Sequence, residues 1–205
     1  MSIGLVDNVG KSFVFAYENT VKKLLRWIGL SIVFWIPIAN FITAGIFLKV
    51  YRGEEPDFSN AGKSFIQGLL LFVIQFIYAL IPALIIILSA LFSMTELSVI
   101  TLIGLLAGLI LAVLLGFFMF PVIVNFARRQ TFGSAFAFGE IFGMIGKLGL
   151  AKFVLAWILY IVVMFVVSFV LGILFAVPLI GAILMLLSVP FILFFEAKYF
   201  SNLFE

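Results

Sequence analysis

Long stretches without a charged residue constrain this chain more than any other feature. A helix needs about 20 apolar residues, at 1.5 Å each, to cross about 30 Å of hydrocarbon, and several runs reach that length. Only 10% of the 205 residues are charged and 66% are hydrophobic, whereas a soluble domain carries about 25% charged residues. The sequence therefore predicts an all-α integral membrane bundle and excludes a soluble globule.

The apolar runs divide into about six membrane segments within a single transmembrane domain, residues 27–205. The first run has Pro37 and Asn40 at its middle. Because proline interrupts helical hydrogen bonding, we predict a membrane turn there, with Asn40 as the N-cap of the second short segment. Pro178 and Gly181 divide the last run. The predicted segments are residues 27–37, 40–51, 65–92, 98–126, 152–177 and 180–200.

The basic residues favour this turn. Five simple crossings would leave four of the twelve Lys and Arg residues on one side and eight on the other, whereas a first run that turns back at Pro37 puts all twelve on one side. Short loops rich in Lys and Arg stay cytoplasmic. We therefore expect a multi-pass protein of the cell membrane with its N-terminus, basic loops and C-terminus in the cytoplasm. A single proline-kinked span is the alternative.

Residues 1–26 predict an amphipathic helix at the membrane interface. Apolar residues recur every three or four positions, and charged residues occupy another face, as in helices that lie along the headgroups. A polar tail is the alternative. The apolar positions are Val6, Val9, Phe13, Tyr17, Val21 and Leu24, and the charged ones are Asp7, Lys11, Glu18 and Lys22.

Two of the long runs carry small residues four positions apart. This spacing lets membrane helices approach closely, so we predict internal packing seams, with a dimer interface or a ligand groove as alternatives. The predicted packing residues are Gly104, Gly108, Ala112, Gly116, Ser168, Gly172 and Ala176.

The residue types limit the available chemistry. The chain has no cysteine and no histidine, which excludes thiolate nucleophiles, imidazole bases and zinc sites of the usual kind. The acidic cluster of Glu54, Glu55 and Asp57 is expected to be a solvated turn. We therefore expect no catalytic residue, no cofactor and no metal, and a protein that is not an enzyme.

Arg128, Arg129 and Lys147 are the candidate contacts for an anionic lipid. They flank a predicted amphipathic helix that follows Ser134, and the N-terminus of a helix attracts anions. The alternative is that these residues only anchor the topology. A nucleic acid partner is not expected, because the net charge of +3 is small and spread among apolar segments.

Few polar side chains fall within the apolar runs. Gln67, Asn125 and Glu196 lie near the ends of runs, where hydrogen bonding at the interface accounts for them. Asn40 and Gln75 would line a small polar cavity, since polar residues at membrane depth often mark a path for a solute. A small transporter or channel for an apolar or weakly polar solute is therefore the alternative function.

Three motifs carry a family resemblance. The first comprises Pro37-Ile-Ala-Asn40-Phe41, Gly45 and Lys49-x-x-Arg52-Gly53-Glu54-Glu55. The second is Phe132-x-x-Ala135-Phe136-x-x-Gly139-Glu140-Ile141, and the third is Val177-Pro178-x-x-Gly181. With these motifs the chain resembles an archaeal multi-pass membrane family known as domain of unknown function 4013. The resemblance implies a helical membrane domain of six segments and supplies neither a reaction nor ligand residues.

The sequence thus predicts a non-enzymatic integral membrane protein that organises lipid or supports another membrane component. We expect membrane lipids, anionic ones in particular, as its partners. We also expect association with a second copy of the chain or with another membrane protein.

Overall fold

The computed structural model describes residues 4–93, 99–175 and 177–205. These residues contain helices and turns and no strand, which confirms the all-α prediction. The predicted packing residue Ala176 lies outside the described residues. The helices are α1 (Leu5–Asn19), α2 (Leu24–Trp35), α3 (Asn40–Tyr51), α4 (Ala61–Ser93), α5 (Val99–Arg129), α6 (Phe138–Leu148), α7 (Leu150–Phe175) and α8 (Pro178–Leu203), with 3-10 turns at Val21–Lys23 and Phe132–Phe136.

Four of these helices are long and apolar enough to cross a membrane. Their candidate spans are Ala61–Phe92, Val99–Arg129, Leu150–Phe175 and Gly181–Leu203, and this indicates a membrane protein. The helices α2 and α3 have 12 residues each, which is below the length that a perpendicular crossing needs. The count of six membrane segments therefore stays a prediction.

The helices α2 and α3 form a hairpin. Lys23 Nζ, at the start of α2, lies 2.7 Å from Glu55 Oε1, four residues beyond the end of α3, and Arg26 is 3.8 Å from the same carboxylate. The chain thus enters and leaves the hairpin at the same end. Between the two helices, Ile38 has a φ of +72°, a strained conformation for a β-branched residue.

The turn between α2 and α3 satisfies its own backbone amides. The amide of Ala39 donates to the carbonyl of Pro37 at 2.9 Å, and the amide of Asn40 donates to the carbonyl of Ile36 at 3.0 Å. The prediction that Asn40 caps α3 is wrong, because Ala39 is the N-cap and no side chain hydrogen-bonds there. Carbonyls already accept from these amides, so the Asn40 side chain is free for other contacts.

The hairpin packs against α4 at two glycines. A β-carbon on Gly45 would overlap the carbonyl oxygen of Ser64, and one on Gly68 would overlap the carbonyl oxygen of Phe41. The two backbones therefore touch, as happens where membrane helices meet at small residues. This contact fixes α3 antiparallel to the first third of α4.

The first helix packs on the last one. Its buried residues are Asn8, Ser12, Ala16 and Asn19. Asn8 Nδ2 donates to the carbonyl of Tyr199 at 2.9 Å, and Asn8 Oδ1 accepts from Asn202 Nδ2 at 2.9 Å. Helix α1 therefore contacts α8 through small and polar residues and also through Phe13, whose ring centroid lies 4.6 Å from that of Phe195. The apolar periodicity of residues 1–26 indicates Phe13 but not the polar contacts.

Basic residues collect at one end of the bundle, which we call the basic end. Arg128, at the end of α5, donates to the carbonyls of Ser201 and Phe204 at the end of α8. Arg52, after α3, donates to Gln67 Oε1 at the start of α4 at 3.0 Å. The ends of α3, α5 and α8 thus meet the start of α4 at one surface.

The loop between α3 and α4 is a network of ion pairs at the basic end. The ammonium of Lys49 donates to the carboxylate of Asp57 at 2.7 Å, to the carbonyl of Asp57 at 3.0 Å and to the carbonyl of Ser59 at 2.8 Å. Hydrogen bonds from Lys49 and from the Ser59 hydroxyl lower the pKa of Asp57 to about 2. Arg52 binds Glu54 through two hydrogen bonds. All three members of the acidic cluster are therefore paired, Asp57 with Lys49, Glu54 with Arg52, and Glu55 with Lys23 and Arg26 at the start of α2.

Gly68→Ala is expected to lower the free energy of unfolding by about 1–3 kcal/mol, because the added methyl group overfills the contact between α3 and α4. Thermal unfolding of the purified protein in detergent measures this. Gly116→Ala is the matched control, since no heavy atom of the described residues beyond its chain neighbours and the adjacent helix backbone lies within 4 Å of its β-carbon position, and alanine favours the helix. An equal loss in both variants would contradict the assigned contact.

Lys49→Met is expected to lower the free energy of unfolding by about 1.5–3 kcal/mol through the loss of hydrogen bonds from a charged donor. The folded state holds the pKa of Asp57 down, so the part of this stabilisation that comes from its carboxylate is complete above about pH 4 and is lost as the pH falls through about 2, whereas the hydrogen bonds from Lys49 to carbonyls remain. Thermal unfolding between pH 2 and 7 measures this.

Lys22→Met is the control for that experiment, because Lys22 forms an exposed pair with Glu18. Such pairs contribute about 0.3–0.5 kcal/mol. A Lys49→Met variant no less stable than Lys22→Met would contradict a structural role for the Lys49 ammonium.

Candidate functional site

A cavity of about 720 Å³ opens at the basic end. We call it the basic cavity. Its wall combines cationic and amide side chains with apolar ones and comes from α1, α5, α6, α7, α8 and the residues that follow α8. The lining residues are Asn8, Arg128, Met144, Lys147, Leu148, Lys152, Asn202, Leu203, Phe204 and Glu205.

The connection between α6 and α7 brings two lysines to this cavity. Gly149 has a φ of +89°, a conformation that glycine adopts readily and that commonly ends a helix. Helix α6 ends before it and α7 begins after it, so Lys147 in the last turn of α6 and Lys152 in the first turn of α7 lie on either side of the break. Both line the basic cavity.

The three cations of the cavity differ in how they are held. The Arg128 guanidinium donates to the carbonyl of Phe204 at 3.0 Å and to that of Ser201 at 3.1 Å. Neither Lys147 nor Lys152 has an ion-pair or hydrogen-bond partner in the part of the chain that the structure describes. The cavity thus joins one fixed guanidinium to two ammonium groups that remain available to an anion.

Two of the three residues predicted to contact anionic lipid line the basic cavity, Arg128 and Lys147. The third, Arg129, is not among the lining residues, and its guanidinium donates to Glu140 Oε1 at 3.0 Å. Lys152 was not predicted from the sequence. Its spacing was the available signal, because it follows Lys147 by five residues across a glycine that can end a helix.

The polar residues predicted near the ends of runs connect neighbouring elements. Gln67 accepts from Arg52 at 3.0 Å and donates to Gln130 Oε1 at 3.1 Å. Asn125 Nδ2 donates to the carbonyl of Ser134 at 2.9 Å. The Gln67 carboxamide therefore links the residue that follows α3 to α4 by a hydrogen bond, and the Asn125 carboxamide links α5 to the 3-10 turn that follows it.

The predicted packing residues fall into two groups. Gly104 and Gly108 lie against α4, where a β-carbon would overlap the hydroxyl of Ser89 or meet Ile86 at 2.6 Å. At Gly116 and Gly172, no heavy atom of the described residues beyond the chain neighbours and the adjacent helix backbone lies within 4 Å of the β-carbon position. The two remaining described positions are Ala112, partly exposed, and Ser168, exposed.

Comparison with known proteins identifies a family and no individual relative. No curated protein and no solved structure matches the chain. One family model matches residues 29–176, which is more than two thirds of the chain and extends from α2 to the end of α7. Lys147 and Lys152 fall inside the matched range. The chain therefore belongs to the family described as Protein of unknown function (DUF4013).

Proposed function

We propose that this protein is a non-enzymatic integral membrane protein that binds anionic lipid headgroups in the basic cavity and organises lipid around its basic end. The observation that carries the proposal is the pair of unpartnered ammonium groups, Lys147 and Lys152, beside the fixed guanidinium of Arg128. Basic pockets between membrane helices are typical binding sites for acidic lipid headgroups.

The charge of the cavity supports an anionic ligand. Three cationic side chains face one acidic side chain, that of Glu205. A phosphate group in the cavity would receive charge-assisted hydrogen bonds from the lysines, and these are about twice as strong as neutral ones. The amides of Asn8 and Asn202 already hydrogen-bond to each other at 2.9 Å, so they shape the wall.

The apolar part of the cavity wall favours a lipid as the ligand rather than a free anion. Met144, Leu148 and Leu203 form part of the wall. Beside it, Phe142 on α6 and Leu150 on α7 are 59% and 67% exposed, which suits helices that lie at the boundary of hydrocarbon and headgroups. Acyl chains would follow these side chains away from the cavity, whereas a free phosphate would gain nothing from them.

The distribution of elements supports a role in organising lipid. The hairpin of α2 and α3, the first helix α1 and the amphipathic helix α6 all join the bundle at its basic end. They add cross-section to one leaflet without a counterpart among the described residues in the other, and such asymmetry favours curvature. The positive-inside rule assigns this leaflet to the cytoplasmic side of the cell membrane. Association with a second copy or with another membrane protein is part of the same proposal.

Lys147→Gln and Lys152→Gln are each expected to weaken binding of phosphatidylglycerol about fivefold, which corresponds to about 1 kcal/mol per basic residue near an anionic headgroup. Native mass spectrometry of the purified protein, titrated with phosphatidylglycerol or with phosphatidylcholine, measures the change. Phosphatidylcholine binding is expected to stay the same, because it carries no net charge.

Arg129→Gln is the matched control for both lysine variants. It removes one positive charge from the same end of the bundle, yet Arg129 is paired with Glu140 and does not line the cavity. An equal loss of phosphatidylglycerol binding in Arg129→Gln would overturn the proposal and assign the effect to general surface charge. Competition by inorganic phosphate as strong as by phosphatidylglycerol would assign the cavity to a free anion.

The proposed orientation predicts three different reactivities for single cysteines, which can be introduced without background because the chain has none. Gly62→Cys, at the basic end, is expected to react with an impermeant maleimide only after the cells are opened. Val177→Cys, between α7 and α8, is expected to react in intact cells. Ala39→Cys, in the hairpin turn, is expected to react in neither case. Reaction of Gly62→Cys in intact cells would contradict the orientation.

A further inference from the structure

A second cavity, of about 180 Å³, lies among α2, α3, α4, α5 and α8. It shares no lining residue with the basic cavity. Most of its wall is apolar, but four polar side chains also line it, from Asn40, Tyr51, Gln75 and Glu196. We call it the hairpin cavity, because α2 and α3 provide half of its wall.

The hairpin cavity opens on the side of the bundle. Gln75 follows Ala61, the first residue of α4, by 14 positions, which is about 21 Å along the helix. Its side chain is exposed, and so are its neighbours Phe72 and Phe76, at 52% and 56%. Exposed phenylalanines in the middle of a long apolar helix face lipid, so the opening beside them gives access from the hydrocarbon.

Much of the hydrogen-bonding capacity of the polar groups in this cavity is unused within the described residues. The turn of α2 and α3 is closed by backbone carbonyls, which leaves the Asn40 carboxamide free. Neither Asn40 nor Gln75 has a side-chain hydrogen bond to any described residue. The hydroxyl of Tyr160 donates to Glu196 Oε2 at 2.5 Å, and Glu196 Oε1 has no partner in the described ranges. Unpartnered polar groups are costly in hydrocarbon, which points to a ligand.

The lining chemistry selects the class of ligand. No Lys or Arg lines the hairpin cavity, so it offers no cation to neutralise a phosphate or a carboxylate. Two carboxamides and a carboxyl group supply both donors and acceptors, which suits a group that also has both. Vicinal hydroxyls have this property without a charge.

We propose that the hairpin cavity binds the polyhydroxyl headgroup of an uncharged amphiphile, such as a monoacylglycerol, which enters from the hydrocarbon. The headgroup hydroxyls hydrogen-bond to Asn40, Gln75 and Glu196, and the acyl chain stays among the lipids beside Phe72 and Phe76. The small volume accommodates a headgroup and leaves the chain outside. This site is independent of lipid binding in the basic cavity.

The test is photolabelling of the full chain in phosphatidylcholine nanodiscs by a monoacylglycerol that carries a diazirine next to its headgroup. Mass spectrometry is expected to find the label on the apolar wall of the cavity, at Phe34, Leu71 or Leu193. Unlabelled monooleoylglycerol is expected to compete, whereas methyl oleate, which has the same chain and no hydroxyl, is not.

Gln75→Leu and Asn40→Leu are each expected to reduce the labelling about three- to tenfold, the effect of one lost hydrogen bond. Neither side chain hydrogen-bonds within the described residues, so both variants are expected to fold, and circular dichroism checks this. Ser168→Leu is the matched control, a polar-to-apolar change at an exposed position of α7, and it should leave the labelling unchanged. Lys147→Gln should also leave it unchanged, which separates this test from that of the basic cavity.

Three results would overturn the proposal. Competition by methyl oleate as strong as by monooleoylglycerol would mean that the cavity recognises only the chain. Labelling that is unchanged in both Gln75→Leu and Asn40→Leu would mean that these amides do not bind the headgroup. Stronger competition by oleylamine than by monooleoylglycerol, lost in Glu196→Gln, would assign the cavity to a cation.

Discussion

Hydrocarbon offers no hydrogen-bond partner to a peptide group, and the arrangement of this bundle depends on how one turn meets that constraint. Because carbonyls of the turn accept from its amides, the chain reverses between α2 and α3 without help from a side chain. The reversal brings Lys23 to Glu55 at 2.7 Å and sets Gly45 and Gly68 at the contact between α3 and α4. It also leaves Asn40 available to a cavity.

The twelve basic residues have different structural roles, although each contributes one positive charge to the count on which the predicted topology depends. Lys49 and Arg52 are paired with acidic residues of their own loop and hold the hairpin to α4. Arg128 is bound to carbonyls at the end of α8. Lys147 and Lys152 line the basic cavity and have no hydrogen-bond or ion-pair partner among the described residues, and for this reason we propose them as the groups that bind a lipid headgroup. A rule based on charge predicts the side of the membrane on which these residues lie, whereas the contacts in the structure distinguish the paired residues from the unpaired ones.

Much of the fold could be predicted from the sequence, because hydrophobic length and proline position are local properties. They locate the four long helices within a few residues, and they locate the break at Pro178, where α8 begins. The sites depend on contacts between distant residues, such as Tyr160 with Glu196 and Asn8 with Tyr199. Periodicity carries no information about such pairs. For this reason Glu196 is predicted from the sequence only as an interfacial residue, and the position of Lys152 in the wall of the basic cavity is not predicted.

The helices α4 and α5 are longer than the hairpin of α2 and α3, and a bilayer must respond to that difference. Helices α4 and α5, with 33 and 31 residues, are about 50 Å and 46 Å long, whereas the 12-residue helices α2 and α3 are each about 18 Å long. Hydrocarbon is about 30 Å thick. The long pair must tilt or thicken the adjoining bilayer, while the short pair thins it. We therefore propose that one molecule, with both pairs in the bilayer, imposes a thickness gradient around its perimeter, and that this gradient sorts neighbouring lipids by acyl-chain length.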